Sequence, residues 1–164
     1  MFYTDGYKTK GVEYSEKQLV KSDMFCKNNN INLNIEKGDM RYMEYEDNSI
    51  SFAYSYNSIF HMYKDDIKLS ILEVNRVLKP NGLFYFDLLS VEDCGYGDGQ
   101  EVKKGEFIQG EYGEVVIHSY FEDEEIDNFL DGFTILRKEK RIIEEYEEGQ
   151  KYKYAYLDYI LRKV

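Results

Sequence analysis

Glu73-Val74-Asn75-Arg76-Val77-Leu78-Lys79-Pro80-Asn81-Gly82-Leu83 is the stretch on which the reading of the fold turns. Its first half closes an amphipathic helix. Ile67, Ile71, Val74 and Leu78 follow one another at steps of four, three and four, and draw one apolar stripe. Asp65 or Asp66 is placed to cap the start of that helix. Its end falls near Leu78, because the Pro80 ring disfavours helical backbone in Lys79 before it. Pro80-Asn81-Gly82 then reads as a turn, and residues 83–89 as a nearly unbroken apolar strand of the kind buried on both faces.

Moving upstream, residues 49–55 read as a strand entered through the turn-prone Glu46-Asp47-Asn48. Residues 31–37 make another strand, stopping at Gly38-Asp39, and residues 8–14 a third. Between these two, Ser15-Glu16-Lys17-Gln18 fits a capping box, which predicts a helix over 16–27 ended by Asn28-Asn29-Asn30. Downstream, residues 94–110 hold five glycines and are the most linker-like stretch. Residues 123–130 are predicted helical, with Ile126, Phe129, Leu130 and Phe133 inward and Asp131-Gly132 ending the helix. Two strands, 133–146 and 151–161, flank Glu147-Glu148-Gly149-Gln150 and predict an antiparallel hairpin. The whole, residues 1–164, reads as one α/β domain: a mostly parallel sheet with helices on both faces, closed by a C-terminal hairpin.

The chain carries a formal charge of −11, and no dense basic run interrupts it. That opposes nucleic-acid binding, which depends on neutralising phosphates with Lys and Arg. A small molecule or a protein side chain is the better expectation for a substrate. Cys26 and Cys94 are too few and too far apart for a zinc pattern, and a reduced pair is expected. No apolar run reaches the roughly 18 residues of a membrane span, and no secretory leader is visible. A soluble, cytoplasmic protein with no membrane partner and no bound metal is expected.

In open α/β sheets, ligands bind beyond the carboxyl ends of the parallel strands. Three such ends carry suggestive residues: Glu13-Tyr14, Asp39-Met40 and Ser55-Tyr56. A strand-end acid can accept from ribose hydroxyls, and a second, beside an apolar residue, from an adenine amine. Taken singly, Glu13 reads better as a solvated strand-end charge. Order and spacing add more. Gly11-Val12-Glu13-Tyr14-Ser15, Lys37-Gly38-Asp39-Met40, the run from Ser51 to His61, and the opening stretch from Glu73 to Leu83 stand in one characteristic succession. In these four stretches the chain resembles the class I S-adenosylmethionine-dependent methyltransferase family, over about residues 6–89 and more loosely to the end.

The resemblance implies a Rossmann-like sheet with S-adenosylmethionine as cofactor. Glu13 would hold its ribose, with Tyr14 alongside; Asp39 would hold the adenine amine and Met40 cover the ring. Ser55 and Tyr56 would line its methionine side. Residues 90–121 would form a substrate-side cap. The chain departs from the family in two places. No GxGxG-type loop stands before Gly11, and Gly95-Tyr96-Gly97-Asp98-Gly99 follows the fifth strand instead. Ser51 stands where the family usually has an acid. The resemblance therefore implies an N-terminally truncated domain lacking its central first strand, with the true start upstream. A missing central strand leaves two sheet edges, where each buried orphan group costs about 1–3 kcal/mol. Either the flanking strands close the gap, or a second copy or partner chain covers it.

The activity implied is methyl transfer to a small-molecule or protein acceptor, by direct displacement and without a metal. An oxygen or nitrogen acceptor calls for a general base, and His61 and His118 are the chain's two histidines. Each also reads as structural, His61 as a helix-start residue with a local hydrogen bond. The acids of residues 122–125 suit a helix N-terminus favoured by its dipole. Another class stays open: a non-catalytic remnant that binds a nucleoside or a partner. A nicotinamide-dependent dehydrogenase would also need a glycine fingerprint, and the Lys79-Pro80-Asn81-Gly82 turn before an apolar strand favours the methyltransferase.

Overall fold

The computed structural model describes residues 2–111 and 114–164. Its contacts divide the chain into two compact units, Met1–Tyr45 and Glu46–Val164, and each is described by itself.

In the first unit, β1 (Lys10–Glu13) and β2 (Asn34–Lys37) pair in parallel, Gly11 opposite Ile35 and Glu13 opposite Lys37. Helix α1 (Glu16–Asn28) is the crossover that parallel pairing requires. Both strands are shorter than the 8–14 and 31–37 read from sequence. Ser15 caps α1, its Oγ accepting from the Gln18 N–H at 3.3 Å. The reciprocal half of the capping box is replaced: the Ser15 N–H donates to Glu13 Oε1 at 2.7 Å. Asn29 ends the helix, its side-chain amide donating to the Phe25 carbonyl at 2.8 Å.

The second unit holds β3 (Ile50–Ser55), α2 (Lys64–Val77), β4 (Leu78–Ser90), β5 (Gln100–Lys103), β6 (Glu106–Glu111), β7 (Glu114–Phe121), one 3₁₀ turn (Asp127–Phe129), β8 (Phe133–Glu147) and β9 (Gln150–Lys163). These strands form one seven-stranded sheet, in the order β5-β6-β7-β4-β9-β8, with β3 also on β4. The α2 stripe is buried as its spacing predicts: Ile67, Ile71, Val74 and Leu78 are all inside. The expected aspartate cap is not used. Tyr63 is the N-cap and makes no side-chain cap bond; instead the Lys64 N–H donates to the buried Glu106 carboxylate at 2.6 Å. Gly82 is demanded by close approach, since a Cβ there would meet the Lys79 carbonyl at 2.8 Å and the Ser51 carbonyl at 3.2 Å.

Phe84, Phe86 and Leu88 of β4 lie opposite Leu161, Tyr159 and Leu157 of β9, and all six are buried. Burying each is worth about 1.5–3 kcal/mol. The Phe86 and Tyr159 rings stack at 5.1 Å.

Two expectations are corrected. The sheet is mixed rather than mostly parallel: only β3–β4 and β4–β7 run parallel within it. Parallel neighbours need a long crossover, whereas β5–β6 and β8–β9 are joined by two-residue turns, Lys104-Gly105 and Glu148-Gly149. The glycine-rich 94–110 stretch accordingly carries β5 and most of β6. The helix expected over 123–130 is one 3₁₀ turn. A helix there would set Asp123 against Asp127 and Glu124 against Asp127 at helical spacing, where like charges repel, over a run too short to offset nucleation. Ile126 and Leu130 are nonetheless buried, while Phe129 and Phe133 are half-buried.

Candidate functional site

Within the first unit, Glu13 and Asp39 stand at neighbouring strand ends. The Gly38 N–H donates to the Glu13 carbonyl at 3.0 Å, which sets residue 39 beside the tip of β1. Glu13 spends Oε1 on the Ser15 N–H, and Oε2 accepts from no group among the described residues. Asp39 is committed differently. Arg41 donates to it through its backbone N–H at 2.9 Å, through Nε at 3.0 Å and through Nη2 at 2.6 Å. Those bonds hold the Asp39 carboxyl below the usual carboxylate range, against a smaller upward push from burial. Tyr14 is exposed and Met40 half-buried. A shallow depression of about 420 Å³ lies against the inner face of α1, bordered by Glu13, Gln18, Ser22, Cys26 and Ile35.

Within the second unit the tip of β3 lies at a fork. One edge of β4 holds β3 as far as Ser55 opposite Phe86, and takes up β7 only at Leu89 opposite Tyr120. Between them, Asp87 and Leu88 have no strand partner on that edge among the described residues. Asp87 is wholly buried and fills the fork: its Oδ1 accepts from the Asn57 N–H at 2.8 Å, just past Tyr56. Asn57 itself sits in the left-handed region at φ 47°. Beside it the Ser55 hydroxyl is buried and meets no partner among the described residues.

A charged cluster backs this fork. Arg141 of β8 donates through Nε to Asp158 Oδ2 at 2.8 Å, and through Nη2 to Asp87 Oδ2 at 3.2 Å. Tyr85 donates its hydroxyl to Asp158 Oδ1 at 2.9 Å. The guanidinium lies 4.3 Å from the Tyr156 ring centroid and 5.6 Å from that of Tyr56, cation–π distances. Burial pushes the Asp87 carboxyl up, and Asp158 adds to that push while the Asn57 N–H and Arg141 oppose it. Burial, then the bond to Asp158, raises the Tyr85 phenol. None of Asp87, Arg141 and Asp158 was read from the sequence as a site residue. The available signal was Asp87 itself, the one charge inside the apolar 83–89 run, which only a partner inside the fold makes tolerable.

The two histidines meet. His61 and His118 lie edge to face, ring centroids 4.7 Å apart, with Phe60 against both at 4.6 and 6.3 Å. The backbone explains why: Ser119, next to His118 on β7, donates its N–H to the Phe60 carbonyl at 3.0 Å and its hydroxyl to the Met62 carbonyl at 2.6 Å. His118 is buried and His61 half-buried. The 122–125 acids cap no helix; Glu125 accepts from Lys64 Nζ at 2.7 Å and from the Glu122 N–H at 3.2 Å. Among the described residues no group of three or more His, Cys, Asp or Glu is arranged to hold a metal. None of their helices is long and apolar enough to cross a membrane. Cys26 and Cys94 are both free thiols.

A strand–helix–strand crossover with an acid at each strand end, and a second, mixed sheet whose parallel strands fork over a buried polar group, define an α/β protein. The family is then given by comparison. The model of the methyltransferase domain family matches residues 1–86, and the chain belongs to that family. None of the curated proteins matches this sequence. Among solved structures it is similar to a SAM-dependent methyltransferase from Methanosarcina mazei, at 19% identity and TM-score 0.77 over 98% of this chain and 84% of that one. It is also similar to a protein from Pyrococcus horikoshii, at 20% identity and TM-score 0.75 over 99% and 74%. A third is an S-adenosylmethionine-dependent methyltransferase from Clostridium acetobutylicum, at 15% identity and TM-score 0.72 over 99% and 77%. At such identities the likeness shows the fold.

Proposed function

We propose that this chain uses S-adenosylmethionine to methylate a small-molecule or protein acceptor. The observation that carries the reading is the family match over residues 1–86, which spans all six candidate cofactor residues. Bound, the cofactor supplies a methyl group on a sulfonium, a good leaving group. Glu13 has Oε2 to offer the ribose, and Ser55 offers its buried hydroxyl to the methionine portion. Asp39 accepts the adenine amine with the lone pairs Arg41 leaves it, Met40 covers the ring, and Tyr14 and Tyr56 flank the cofactor. Asp87 fixes the backbone behind Tyr56 through the Asn57 N–H. His61, with His118 against it, takes the proton of an oxygen or nitrogen acceptor.

A second reading is a nucleoside- or partner-binding module without turnover. Titration calorimetry with S-adenosylhomocysteine separates the two. The catalytic reading expects a dissociation constant on the order of micromolar, weakened about tenfold or more in Glu13→Gln and in Ser55→Ala. Absence of measurable heat at millimolar ligand would leave the non-catalytic module standing.

A further inference from the structure

β8 ends its sheet: it pairs with β9 and with no other strand among the described residues. Proteins keep an edge solitary by making it short, bulged or covered, or by lining it with charges that repel a second strand, and charge is the device β8 carries. This one is 15 residues long, and its only register shift lies at the start, between Ile135 and Arg137. Its charges are sorted by sign along the strand. Arg137, Lys138, Lys140 and Arg141 come first, broken only by Glu139; Glu144, Glu145 and Glu147 follow. A strand of this kind matches itself when reversed.

We propose that β8 is a self-association edge, on which the β8 of a second copy docks antiparallel about a two-fold axis at Arg141. Such an interface is isologous, each contact occurring twice, and main-chain hydrogen bonds join the two sheets into one. In this register Arg137, bonded to Glu139 within its own chain, faces Glu145, and Lys138, bonded to Asp127, faces Glu144 of the other copy, so docking exchanges or shares these intrachain pairs on matching faces of the sheet. Ile143 falls opposite Glu139 and Ile142 opposite Lys140, whose methylene stems cover the two isoleucines, now 37% and 48% exposed. Arg141 opposes its own copy, but its guanidinium is turned inward onto Asp158 and Asp87. Neighbouring registers do worse. An axis at Ile142 sets Glu139 against Glu145, and an axis at Lys140 sets Arg137 against Ile143. The net charge of −11 repels copies at long range, and an edge offering paired opposite charges offsets that repulsion locally. Identical chains supply that pairing by construction.

Sedimentation velocity on the full chain, without ligand, tests this over a concentration series. The wild type should show a monomer–dimer equilibrium. Arg137→Glu and Glu145→Arg should each raise the dissociation constant about tenfold, because two pairs turn repulsive at once. The double variant, with both charges exchanged, should return to within about threefold of wild type. Both residues are exposed, and circular dichroism serves to check that each variant is folded. A chain that stays monomeric throughout, a dimer indifferent to both single reversals, or assembly beyond the dimer each overturns the proposal. None of these outcomes bears on cofactor binding.

Discussion

Asp87 is the residue whose burial most needs a reason. It sits at 0% exposure, yet one oxygen serves a backbone N–H and the other a guanidinium, so its charge is matched twice. Asp87→Ala leaves the Asn57 N–H without its acceptor, and should cost about 1–3 kcal/mol in urea unfolding; Asp87→Asn, which keeps an amide oxygen there, should cost less. The pH dependence has a definite sign. A carboxyl held above its ordinary 3.8 binds its proton more tightly folded than unfolded. Its contribution to stability therefore falls as pH rises from 3.8 toward the raised value. The deficit of Asp87→Asn relative to wild type should shrink over that interval, and a deficit that grows would contradict the assignment. Of the residues read from sequence as site candidates, His61 and His118 were legible only as residue types. Their contact depends on Ser119 stitching β7 to the 60–62 backbone, a long-range pairing that no local pattern encodes.

At the scale of elements, β8 and β9 are held to the segment after β4 by Glu92, which accepts from Lys153 at 2.6 Å and also from Lys140. These lysines, Lys140 first, lower the Glu92 carboxyl from 4.5 to about 2. Here the sign is opposite to that of Asp87. The stabilisation is complete above pH 4.5 and is lost as pH falls toward 2. Acid unfolding of Glu92→Gln should show a shallower dependence than wild type across that window and run parallel to it above pH 5; identical acid limbs would rule the tether out. The helix α2, its stop before Pro80, and the strands on either side of it were legible because period and punctuation are local. The strand pairing was not. Which edge β7 takes on β4 rests on two residue pairs, Leu89 with Tyr120 and Ser90 with Phe121, far apart in sequence. The missed 3₁₀ turn has a nearer cause: the acids that look like a helix start are drawn off by Lys64, Lys138 and Lys140.

For the molecule as a whole, the two units differ in how much they bury. Among the described residues of the first unit only Cys26 is buried, whereas the second encloses the α2 stripe and the β4–β9 layer. Hydrogen exchange read by mass spectrometry should find the amides of residues 2–45 far less protected than those of β4 and β9. S-adenosylhomocysteine should raise protection at residues 10–15 and 37–41. Equal protection of both units without ligand would refute the contrast.

The place of β9 between β4 and β8 also sets a timetable for synthesis. The ribosome makes β4 long before β9, yet β9 covers β4 from Leu83 to Leu89. Until it arrives, the apolar 83–89 run of β4 keeps one flank bare on the nascent polypeptide. The β8–β9 hairpin closes through the tight Glu148-Gly149 corner, both residues left-handed at φ 49° and 83°, and local closure of that kind is fast. The last event in building this sheet is then the arrival of a preformed ribbon rather than a single strand, and that ribbon ends the interval in which the nascent chain is open to chaperones and to misassembly.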